Sequence, residues 1–589
     1  MGLLGILASH ARQVLGALAS GQTPAQVNEQ CALLRRALEE GDLARATRIE
    51  QKLSAQHPQR ADVLLLRGRL ARAKGEADQA LQHFQLAIEY AATAAEAHFW
   101  CAVVHMQQVR EAEALAHAQQ AEHLRPGNAH MMEIIGTVYH HQGNTSLACS
   151  AFVSALQVDA HNTFALRSLA GIYYNEQRWA EALPHYRHLL ALEPNTPDLY
   201  SACATSLLAL GQGVEAWPMF ERAIECGREL SSIYNDYGVA LFREGRIAEA
   251  SAQFDAGLRV KDGDAMLHFL RAECDLITTG STPATWAEYE WRRKLVPAHF
   301  AERSQPWSGE PHAGRRVLIY PEQGIGDWLL FARFIHRVAG PGQQTILQVR
   351  PALGRLARAS AAHFDWGIAE WIESPARVEQ DNVRCDYEAP LLSAINLRGF
   401  AVEKASVPYL HVEDDLVAHW STKLGFARDQ HLRIGLVWAG NPTRWDDYLR
   451  SIPVAQLAPL AHVKDAVFVS LQMDAKPHHK AGPLPFEAID PTPGIRDFAD
   501  TAAIMRNLDI VLSIDTAAAH LAGALAVPCW VLLSKTLDWR WEMAGVEQPW
   551  YASHRSFRVA QQRHWEPLVA EVAQRLNQER EALIASRAR

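Results

Sequence analysis

The stretch TFALRSLAGIYYNEQRWAEALPHYRHLLALEPNT, which occupies residues 163–196, contains one complete unit of a repeat. The small residues Ala170 and Ala182 stand at positions 8 and 20 of this unit, and the large Tyr186 stands at position 24. Small side chains let two helices approach closely, while a large side chain fills the gap beside them. Pro194 follows the second helical pattern, where a proline ends a helix. The stretch therefore predicts two short helices packed against each other.

The pattern recurs every 34 residues, in one register and without a gap, through residues 27–264. Alanine occupies position 20 of every unit: Ala46, Ala80, Ala114, Ala148, Ala182, Ala216 and Ala250. Position 24 is aromatic in most units: Phe84, Phe152, Tyr186, Phe220 and Phe254. This period and these positions resemble the tetratricopeptide repeat. The resemblance implies an α-helical solenoid of about seven repeats, of which the first is degenerate because Glu50 stands at its position 24.

A solenoid of this kind presents a concave groove, and such grooves bind peptide or protein segments. We therefore expect the array to recruit a protein partner. The alternative is that the repeats only dimerise or brace the second half of the chain. Repeat arrays often self-associate, so assembly into a homo-oligomer is a further expectation.

The composition narrows the classes of function. A chain of 589 residues, of which 48% are hydrophobic and 21% charged, suits a protein of more than one domain. Its net charge of -9 gives no support to a nucleic-acid partner, which needs a basic face. The eight cysteines include no CxxC pair, so we expect no disulfide framework and a cytoplasmic location. Residues 1–26 predict a leading helix, and we expect neither a signal peptide nor a membrane span.

The pattern of the chain changes after Asp264. Residues 265–314 predict a helical connector and then a linker rich in proline and glycine. From Arg315 onward, short apolar runs alternate with amphipathic helical stretches, which is typical of α/β units with parallel sheets. Strand ends at Gly324, Gly440 and Asp515 are where such sheets bind ligands.

Seven short segments follow one another in the second half: Glu322-Gln323-Gly324-x-Gly326-Asp327, Trp438-Ala439-Gly440-Asn441, Arg450-Ser451-Ile452, Ser470-Leu471-Gln472, Asp500-Thr501-Ala502, Asp515-Thr516-x-x-x-His520-Leu521-Ala522-Gly523 and Asp538-Trp539-Arg540-Trp541. Together they resemble the bacterial tetratricopeptide-repeat glycosyltransferases, which are similar to the heptosyltransferase family and more distantly to O-GlcNAc transferase. The resemblance covers residues 286–565.

This resemblance implies a GT-B fold, in which two Rossmann-like domains face a cleft. The nucleotide-sugar donor is a co-substrate held mainly by the second domain, and neither a metal nor a cofactor is required. The implied order is an N-terminal Rossmann-like domain on the acceptor side at 315–412, an inter-domain helix at 413–432, a C-terminal Rossmann-like domain on the donor side at 433–566 and a C-terminal helix at 567–589.

An inverting sugar transfer needs a base for the acceptor hydroxyl and a stabiliser for the leaving nucleotide phosphate. The resemblance makes Asp327 the catalytic base, whereas the alternative is that Asp327 only caps the helix that follows it. Thr516 and Ala517 start a helix whose N–H groups and dipole suit a phosphate. Arg450 is the cation predicted for that phosphate, with a solvated surface charge as the alternative.

The remaining candidates come from the same segments. Asp515 is predicted to fix the turn or hold a sugar hydroxyl, His520 to donate to the phosphate or the sugar, and Gln472 to read the nucleotide base. For His520 the alternative is simple packing. Asn441 completes the donor-binding set. Seven further residues are predicted near the donor or the acceptor: Gln323, Gly324, Gly326, Trp438, Gly440, Trp539 and Arg540. A structural role is an equal alternative for Trp539 and Arg540.

These features predict a cytoplasmic glycosyltransferase that transfers a sugar to Ser or Thr hydroxyls of a protein recruited by the repeats. The resemblance suggests flagellin or another surface protein as the acceptor. Two alternatives stay open. One is a heptosyltransferase-like enzyme that acts on a lipopolysaccharide or another glycan, and the other is a non-catalytic scaffold.

Overall fold

The computed structural model of the chain describes residues 23–90, 93–295, 305–310, 313–339, 342–374, 384–397, 408–426, 431–441, 444, 447–473, 483–543 and 550–586. Most of the predicted leading helix, residues 1–22, lies outside these ranges. So do parts of the predicted connector, of both Rossmann-like domains, of the inter-domain helix and of the C-terminal helix. The chain divides into two compact units, residues 1–227 and 228–589.

The described part of the first unit is a series of helices in consecutive pairs: α1 (Pro24–Glu39), α2 (Leu43–Gln56), α3 (Ala61–Ala73), α4 (Ala77–Ile88), α5 (Ala94–Gln107), α6 (Glu111–Leu124), α7 (Ala129–His141), α8 (Thr145–Val158), α9 (Thr163–Asn175), α10 (Trp179–Leu192), α11 (Pro197–Ala209) and α12 (Gly213–Cys226). Local chemistry explains where they begin. Thr23 and Gln26 form a capping box at the start of α1, and Asn162 accepts a hydrogen bond from the Ala165 N–H at 2.9 Å at the start of α9.

Glycine and phenylalanine pack against each other inside several repeats. A Cβ atom placed on Gly136 of α7 would lie 2.7 Å from Cε1 of Phe152 on α8. Gly68 meets Phe84 in the same way two repeats earlier. The predicted contact between the small residue at position 8 and the large residue at position 24 is therefore confirmed in these repeats.

The substitution Gly136→Ala is expected to lower the free energy of unfolding by about 1–3 kcal/mol, because the added methyl group overpacks the contact with Phe152. Chemical denaturation of the purified protein measures this change. Gly171→Ala is the matched control, since it adds the same methyl group to helix α9 at a place where nothing beyond the local helix backbone lies within 4 Å. Gly171→Ala is expected to raise the free energy of unfolding by about 1 kcal/mol or less, because alanine favours a helix more than glycine does. Equal destabilisation by both substitutions would contradict the packing argument.

The second unit begins with the seventh helix pair, α13 (Ser231–Arg243) and α14 (Ile247–Val260), followed by α15 (Ala265–Thr278) and α16 (Pro283–Tyr289). The repeat register alone places the boundary one repeat later, after residue 264. The reason for the difference is a set of contacts at the end of α13. Lys535 Nζ lies 2.9 Å from Glu244 Oε2, and the Thr536 hydroxyl donates to the Arg243 carbonyl at 3.1 Å.

A five-stranded sheet follows, in which every pair of neighbouring strands is parallel. Its order is β1-β5-β2-β3-β4. The strands are β1 (Gln305–Pro306), β2 (Arg316–Tyr320), β3 (Gln344–Val349), β4 (Ile368–Glu373) and β5 (Tyr387–Pro390). Helices α17 (Ile325–Phe331), α18 (Ile335–Val338) and α19 (Gly354–Phe364) lie between these strands in the chain.

A second parallel sheet has six strands in the order β11-β10-β9-β6-β7-β8. The strands are β6 (Leu432–Val437), β7 (Ala466–Ser470), β8 (Ala488–Ile489), β9 (Ile510–Ile514), β10 (Cys529–Leu533) and β11 (His554–Arg558). Its helices are α20 (Asp414–Leu424), α21 (Asp447–Arg450), α22 (Phe498–Met505), α23 (Ala517–Ala524) and α24 (Glu566–Ser586). The parallel sheets predicted from the alternating pattern of this half are therefore present.

One hydrophobic core joins the connector to both sheets. It runs from Trp286 on α16 through Trp328 on α17 to Leu521 on α23, and all three side chains are buried. A separate core covers the other face of the second sheet, where Ile434 packs with Trp565. Among the described helices, none combines the length and the apolar character that crossing a bilayer requires.

Candidate active site

A cavity of about 680 Å³ lies where strands of both sheets end. We call it the larger cavity. The first sheet contributes the segment 324–327 after β2 and Arg350 after β3. The second sheet contributes residues that follow β6, β7 and β9. Ligands of parallel α/β sheets bind at this edge, because the loops that follow the strands gather there.

All seven predicted donor-binding residues line the larger cavity: Asn441, Arg450, Gln472, Asp515, Thr516, Ala517 and His520. Asp327, Gly324, Gly326, Gly440 and Arg540 line it as well. The fold thus brings together side chains that the sequence keeps far apart.

The turn after β2 packs directly on the first turn of α23. A Cβ atom on Gly326 would lie 3.0 Å from His520 Cδ2 and 3.6 Å from Ala517 Cα, so a larger residue would push the two segments apart. Thr516 precedes the helix in an extended conformation, and Thr516, Ala517 and Ala518 line the cavity. The start of α23 can therefore present its N–H groups and its dipole to an anion in the cavity.

His520 is almost fully buried on α23. Its Nδ1 atom lies 3.1 Å from the Tyr551 hydroxyl, and its ring stacks on Trp541 with 4.7 Å between the ring centroids. Burial lowers the pKa of His520 to about 4, although the carboxylates of Asp515 and Asp327 act in the opposite direction. The imidazole is therefore neutral at pH 7, and any bond that it donates comes from a neutral N–H group.

Arg450 is held in place by two carboxylates. Its Nη1 atom donates to the Asp515 carbonyl at 2.9 Å and lies 3.4 Å from Asp515 Oδ2, while its Nε atom lies 3.4 Å from Asp447 Oδ1. Asp447 in turn accepts a hydrogen bond from the Ser451 hydroxyl at 2.9 Å. Burial acts to raise the pKa of Asp515, but Arg450, His520 and the Trp541 indole outweigh it and lower that pKa. Arg450 is thus a fixed cation in the cavity wall.

Gln472 supports the loop that follows β6. Its Oε1 atom accepts from the Trp438 and Ala439 N–H groups at 3.0 and 2.8 Å, and its Nε2 atom donates to the Ala439 carbonyl at 3.0 Å. Gly440 continues this loop, and its N–H donates to the Ser451 hydroxyl at 3.0 Å. The amide of Gln472 therefore holds backbone in this structure, and its reading of a nucleotide base stays a prediction.

Arg540 joins the two sheets through an ion cluster, which we call the Arg540 cluster and which comprises Gln323, Asp327, Asp538 and Arg540. Its Nε and Nη2 atoms lie 2.8 and 2.7 Å from Asp327 Oδ1, and its Nη1 atom lies 3.1 Å from Asp538 Oδ1. The Gln323 Oε1 atom accepts from Nη2 at 3.2 Å. Burial acts to lower the pKa of Arg540, but the carboxylates of Asp327 and Asp538 keep that pKa well above its ordinary value.

Asp327 also makes the contact expected of a helix cap. Its Oδ2 atom accepts from the Gly324 N–H at 3.0 Å, at the start of α17. Both oxygens of Asp327 are therefore engaged, one by the backbone and one by Arg540. The capping contact is present, and the role of Asp327 as a base stays a prediction.

A second cavity, of about 390 Å³, meets the larger one at the Arg540 cluster. We call it the smaller cavity. Its other wall comes from helices α13 and α15, through Phe242, Arg243, Phe269, Leu270 and Glu273. Asp327, Asp538 and Arg540 line both cavities, as do Arg444 and Arg450. The helices of the last repeat and of the connector therefore help to form the candidate site.

Two predicted aromatic residues are placed mainly in the core. Trp539 is 1% exposed and makes edge-on contacts with Trp286, Tyr289 and Trp550, although its edge reaches the smaller cavity. Trp438 is 4% exposed and belongs to the core under the second sheet. These positions favour the structural alternative for Trp539.

Sequence reasoning missed several charged lining residues, among them Asp538, Arg444 and Glu273. Asp538 stands two positions before Arg540 in the segment Asp538-Trp539-Arg540-Trp541, so its pairing with that arginine could have been proposed. Arg444 lines both cavities, but no pattern in the sequence around it marks it as a site residue. Glu273 lies inside a regular amphipathic helix, where nothing in the sequence marks it as different from a surface glutamate.

Comparison with known proteins identifies repeats in the first unit. A tetratricopeptide-repeat family model matches residues 65–129. The N-terminal region is a tetratricopeptide-repeat solenoid. Protein FlbA of Caulobacter vibrioides is 27% identical over 423 residues, which cover 67% of this chain and 70% of that protein. Protein O-mannosyl-transferase TMTC1 of Homo sapiens is 37% identical over 108 residues, 17% of this chain and 12% of that protein.

Solved structures that are similar to the chain include tetratricopeptide-repeat proteins. YrrB, described as having an unusual peptide-binding site, has 20% sequence identity and a TM-score of 0.27, over 30% of this chain and 92% of YrrB. The C-terminal part of a repeat protein from Cytophaga hutchinsonii has 17% identity and a TM-score of 0.34, over 39% of this chain and 95% of that one. The resemblance of the second half to heptosyltransferases and O-GlcNAc transferase stays a prediction.

Proposed function

We propose that the second unit is a glycosyltransferase of the GT-B type, which moves a sugar from a nucleotide-sugar to a Ser or Thr hydroxyl of a protein. The observation that carries this proposal is the gathering of all seven predicted donor-binding residues around one cavity, at the carboxyl ends of strands from two parallel sheets. That edge of a parallel sheet is the usual place for a nucleotide ligand.

The donor phosphates fit the wall of the larger cavity that contains Arg450 and the start of α23. The helix start provides N–H groups and partial positive charge, and Arg450 is fixed beside it by Asp515. Arg350 and Arg444 also line this cavity and add positive charge. Preorganised cations and N–H groups stabilise the charge that develops on a departing diphosphate. With this arrangement we propose a transfer that inverts the configuration at the anomeric carbon and needs no metal ion.

The acceptor hydroxyl fits the smaller cavity, which meets the larger one at the Arg540 cluster. Helices α13 and α15 form one wall of the smaller cavity, so a polypeptide bound along α13, in the seventh repeat, would lie beside it. A protein acceptor is therefore proposed over a glycan. The name of the human relative, an O-mannosyl-transferase, agrees with transfer to protein, although the match covers 12% of that protein. Flagellin or another surface protein remains the acceptor suggested by resemblance.

A thermal-shift screen of the purified protein against UDP-, ADP-, GDP- and CMP-sugars tests the proposal. One nucleotide family is expected to raise the unfolding midpoint, because binding to the native state stabilises it by about 2.7 kcal/mol at a ligand concentration of 100 Kd. His520→Ala is expected to abolish the shift, since it removes a side chain of the donor cavity. His462→Ala, at an exposed histidine outside the cavity, should keep it. A folded protein that responds to none of these donors would favour the scaffold alternative.

A further inference from the structure

The transfer requires a group that accepts the proton of the acceptor hydroxyl. Asp327 is a poor candidate, because both of its carboxylate oxygens are already engaged. Its Oδ2 atom accepts from the Gly324 N–H at 3.0 Å, and its Oδ1 atom lies 2.7 Å from Arg540 Nη2. A proton taken up by Asp327 would weaken these charge-assisted bonds, which are among the stronger hydrogen bonds in proteins. The other carboxyl groups at the meeting point of the two cavities are therefore the better candidates for the proton acceptor.

Glu273 is such a group. It lies on α15, and its half-buried side chain lines the smaller cavity together with Phe269, Leu270 and Trp539. Among the residues that the structure describes, no lysine or arginine forms an ion pair with it. Besides Asp327, two further carboxylates among these residues line this cavity, and each has a cation partner: Asp538 is bound to Arg540 at 3.1 Å, and Asp515 lies 3.4 Å from Arg450 Nη1. Glu273 is thus a carboxyl in the acceptor cavity that no cation holds.

The electrostatic surroundings of Glu273 suit a base that works near neutral pH. The pKa of Glu273 is raised to about 7, chiefly by burial and also by Asp538. Arg540, a hydrogen bond with the Trp539 side chain and Arg444 act to lower this pKa. Tyr289 on α16 and Cys274 on α15 lie within electrostatic range of this carboxyl, and both are protonated at pH 7 because burial raises the pKa of each. A general base is most effective when its pKa lies near the working pH.

We propose that Glu273, and not Asp327, accepts the proton of the acceptor hydroxyl; this inference rests on the transferase function proposed above. The hydroxyl oxygen forms a bond to the anomeric carbon of the donor sugar, and its proton passes to the Glu273 carboxylate. The bond between the anomeric carbon and the phosphate oxygen breaks, and its electron pair leaves with the nucleotide. Asp327 then acts as a positioning residue, which holds Arg540 between the two cavities.

The experiment compares Glu273→Gln with Asp327→Asn and with the wild type. Nucleotide release is followed from the donor that shifts the unfolding midpoint, with water and with a pool of synthetic peptides containing Ser or Thr as acceptors. Glu273→Gln is expected to slow release at least 100-fold and to leave the donor-induced thermal shift unchanged. Asp275→Asn is the matched control on the same helix, because Asp275 does not line the cavity, and it should alter the rate less than twofold.

The pH profile separates a proton acceptor from a structural carboxyl. In the wild type, kcat/KM should fall as the pH drops below about 7, because the Glu273 carboxylate takes up a proton there. Asp327→Asn should keep this acidic limb, while Glu273→Gln should lose it. Azide ion, which has no proton to lose, should restore nucleotide release to Glu273→Ala. Rescue by azide is not expected of a variant whose fold is damaged.

Three results would overturn the inference. They are release by Glu273→Gln within threefold of the wild-type rate, an acidic limb that persists in this variant, and failure of azide to restore Glu273→Ala. A different result marks the failure of the proposed function itself, namely a wild-type protein that neither binds nor cleaves any of the four donor classes. Measurements on the wild type alone therefore distinguish failure of the proposed function from failure of the role proposed for Glu273.

Discussion

Replacement of Arg540 by alanine is expected to lower the free energy of unfolding by about 3–5 kcal/mol, the usual cost of removing one partner of a buried ion pair. The guanidinium is 14% exposed and binds Asp327 and Asp538 at 2.7 and 3.1 Å. Without it, two carboxylates from different sheets face each other with no counter-ion. The guanidinium also stacks on Trp539, at 4.4 Å from the ring centroid, so packing is lost as well as charge.

The same variant is expected to lose donor turnover by at least 100-fold, because Arg540 lines both cavities. Chemical denaturation and nucleotide release measure the two effects. Arg575→Ala is the control for stability: its pair with Glu571 is 3.0 Å long but exposed, so its loss should cost about 1 kcal/mol or less. Arg540→Lys keeps the charge and loses the planar fork, so an intermediate effect is expected. Equal stability of Arg540→Ala and Arg575→Ala would contradict the role given to the cluster.

Gly440→Ala is expected to weaken donor binding about 10- to 100-fold, which corresponds to about 1.4–2.7 kcal/mol. A Cβ atom at this position would lie 2.8 Å from Arg450 Nη2 and would overlap the Asp447 carboxylate. The guanidinium of Arg450 must then move away from the place where Asp515 holds it. Because Arg450 is the fixed cation proposed for the donor phosphate, its displacement should raise the Kd for the nucleotide.

Titration of the nucleotide by calorimetry measures this Kd. Gly263→Ala is the matched control, since it adds a methyl group where no other heavy atom lies within 4 Å and outside the cavity. It should leave the Kd unchanged. A Gly440→Ala protein that binds the nucleotide as tightly as the wild type would show that Arg450 does not contact the donor.

Local patterns in the sequence predicted the regular parts of this protein well. The alanines at position 20 and the aromatic residues at position 24 specify how two neighbouring helices touch, and the contact of Gly136 with Phe152 follows from them. Alternation of apolar runs with amphipathic stretches likewise predicted parallel sheets. In the repeats the deciding contacts lie between neighbouring segments, so a period in the sequence predicts them. In the sheets the alternation predicts the strands, but partners such as β6 and β9 are far apart in the chain.

The parts that sequence did not predict depend on contacts between distant residues. The hydrogen bond between Arg540 and Asp327 joins positions 213 residues apart, and the one between Lys535 and Glu244 joins positions 291 residues apart. No local pattern encodes either contact. The first engages the Oδ1 atom of Asp327, and the second draws the seventh repeat into the second unit. The place of Glu273 in the wall of the smaller cavity likewise depends on how helix α15 packs against distant segments.

The wall that the two cavities share has a thermodynamic consequence. Arg540 and Asp327 line both cavities, so a ligand that shifts the guanidinium in one cavity changes the surface offered to a ligand in the other. Such an effect is reciprocal, because the free energy of a cycle with two ligands is independent of the order in which they bind. Occupancy of the donor cavity should therefore change the affinity for the acceptor by the same factor as the reverse. Through Arg540, binding of the sugar donor would thus be coupled to binding of the protein acceptor before the transfer takes place.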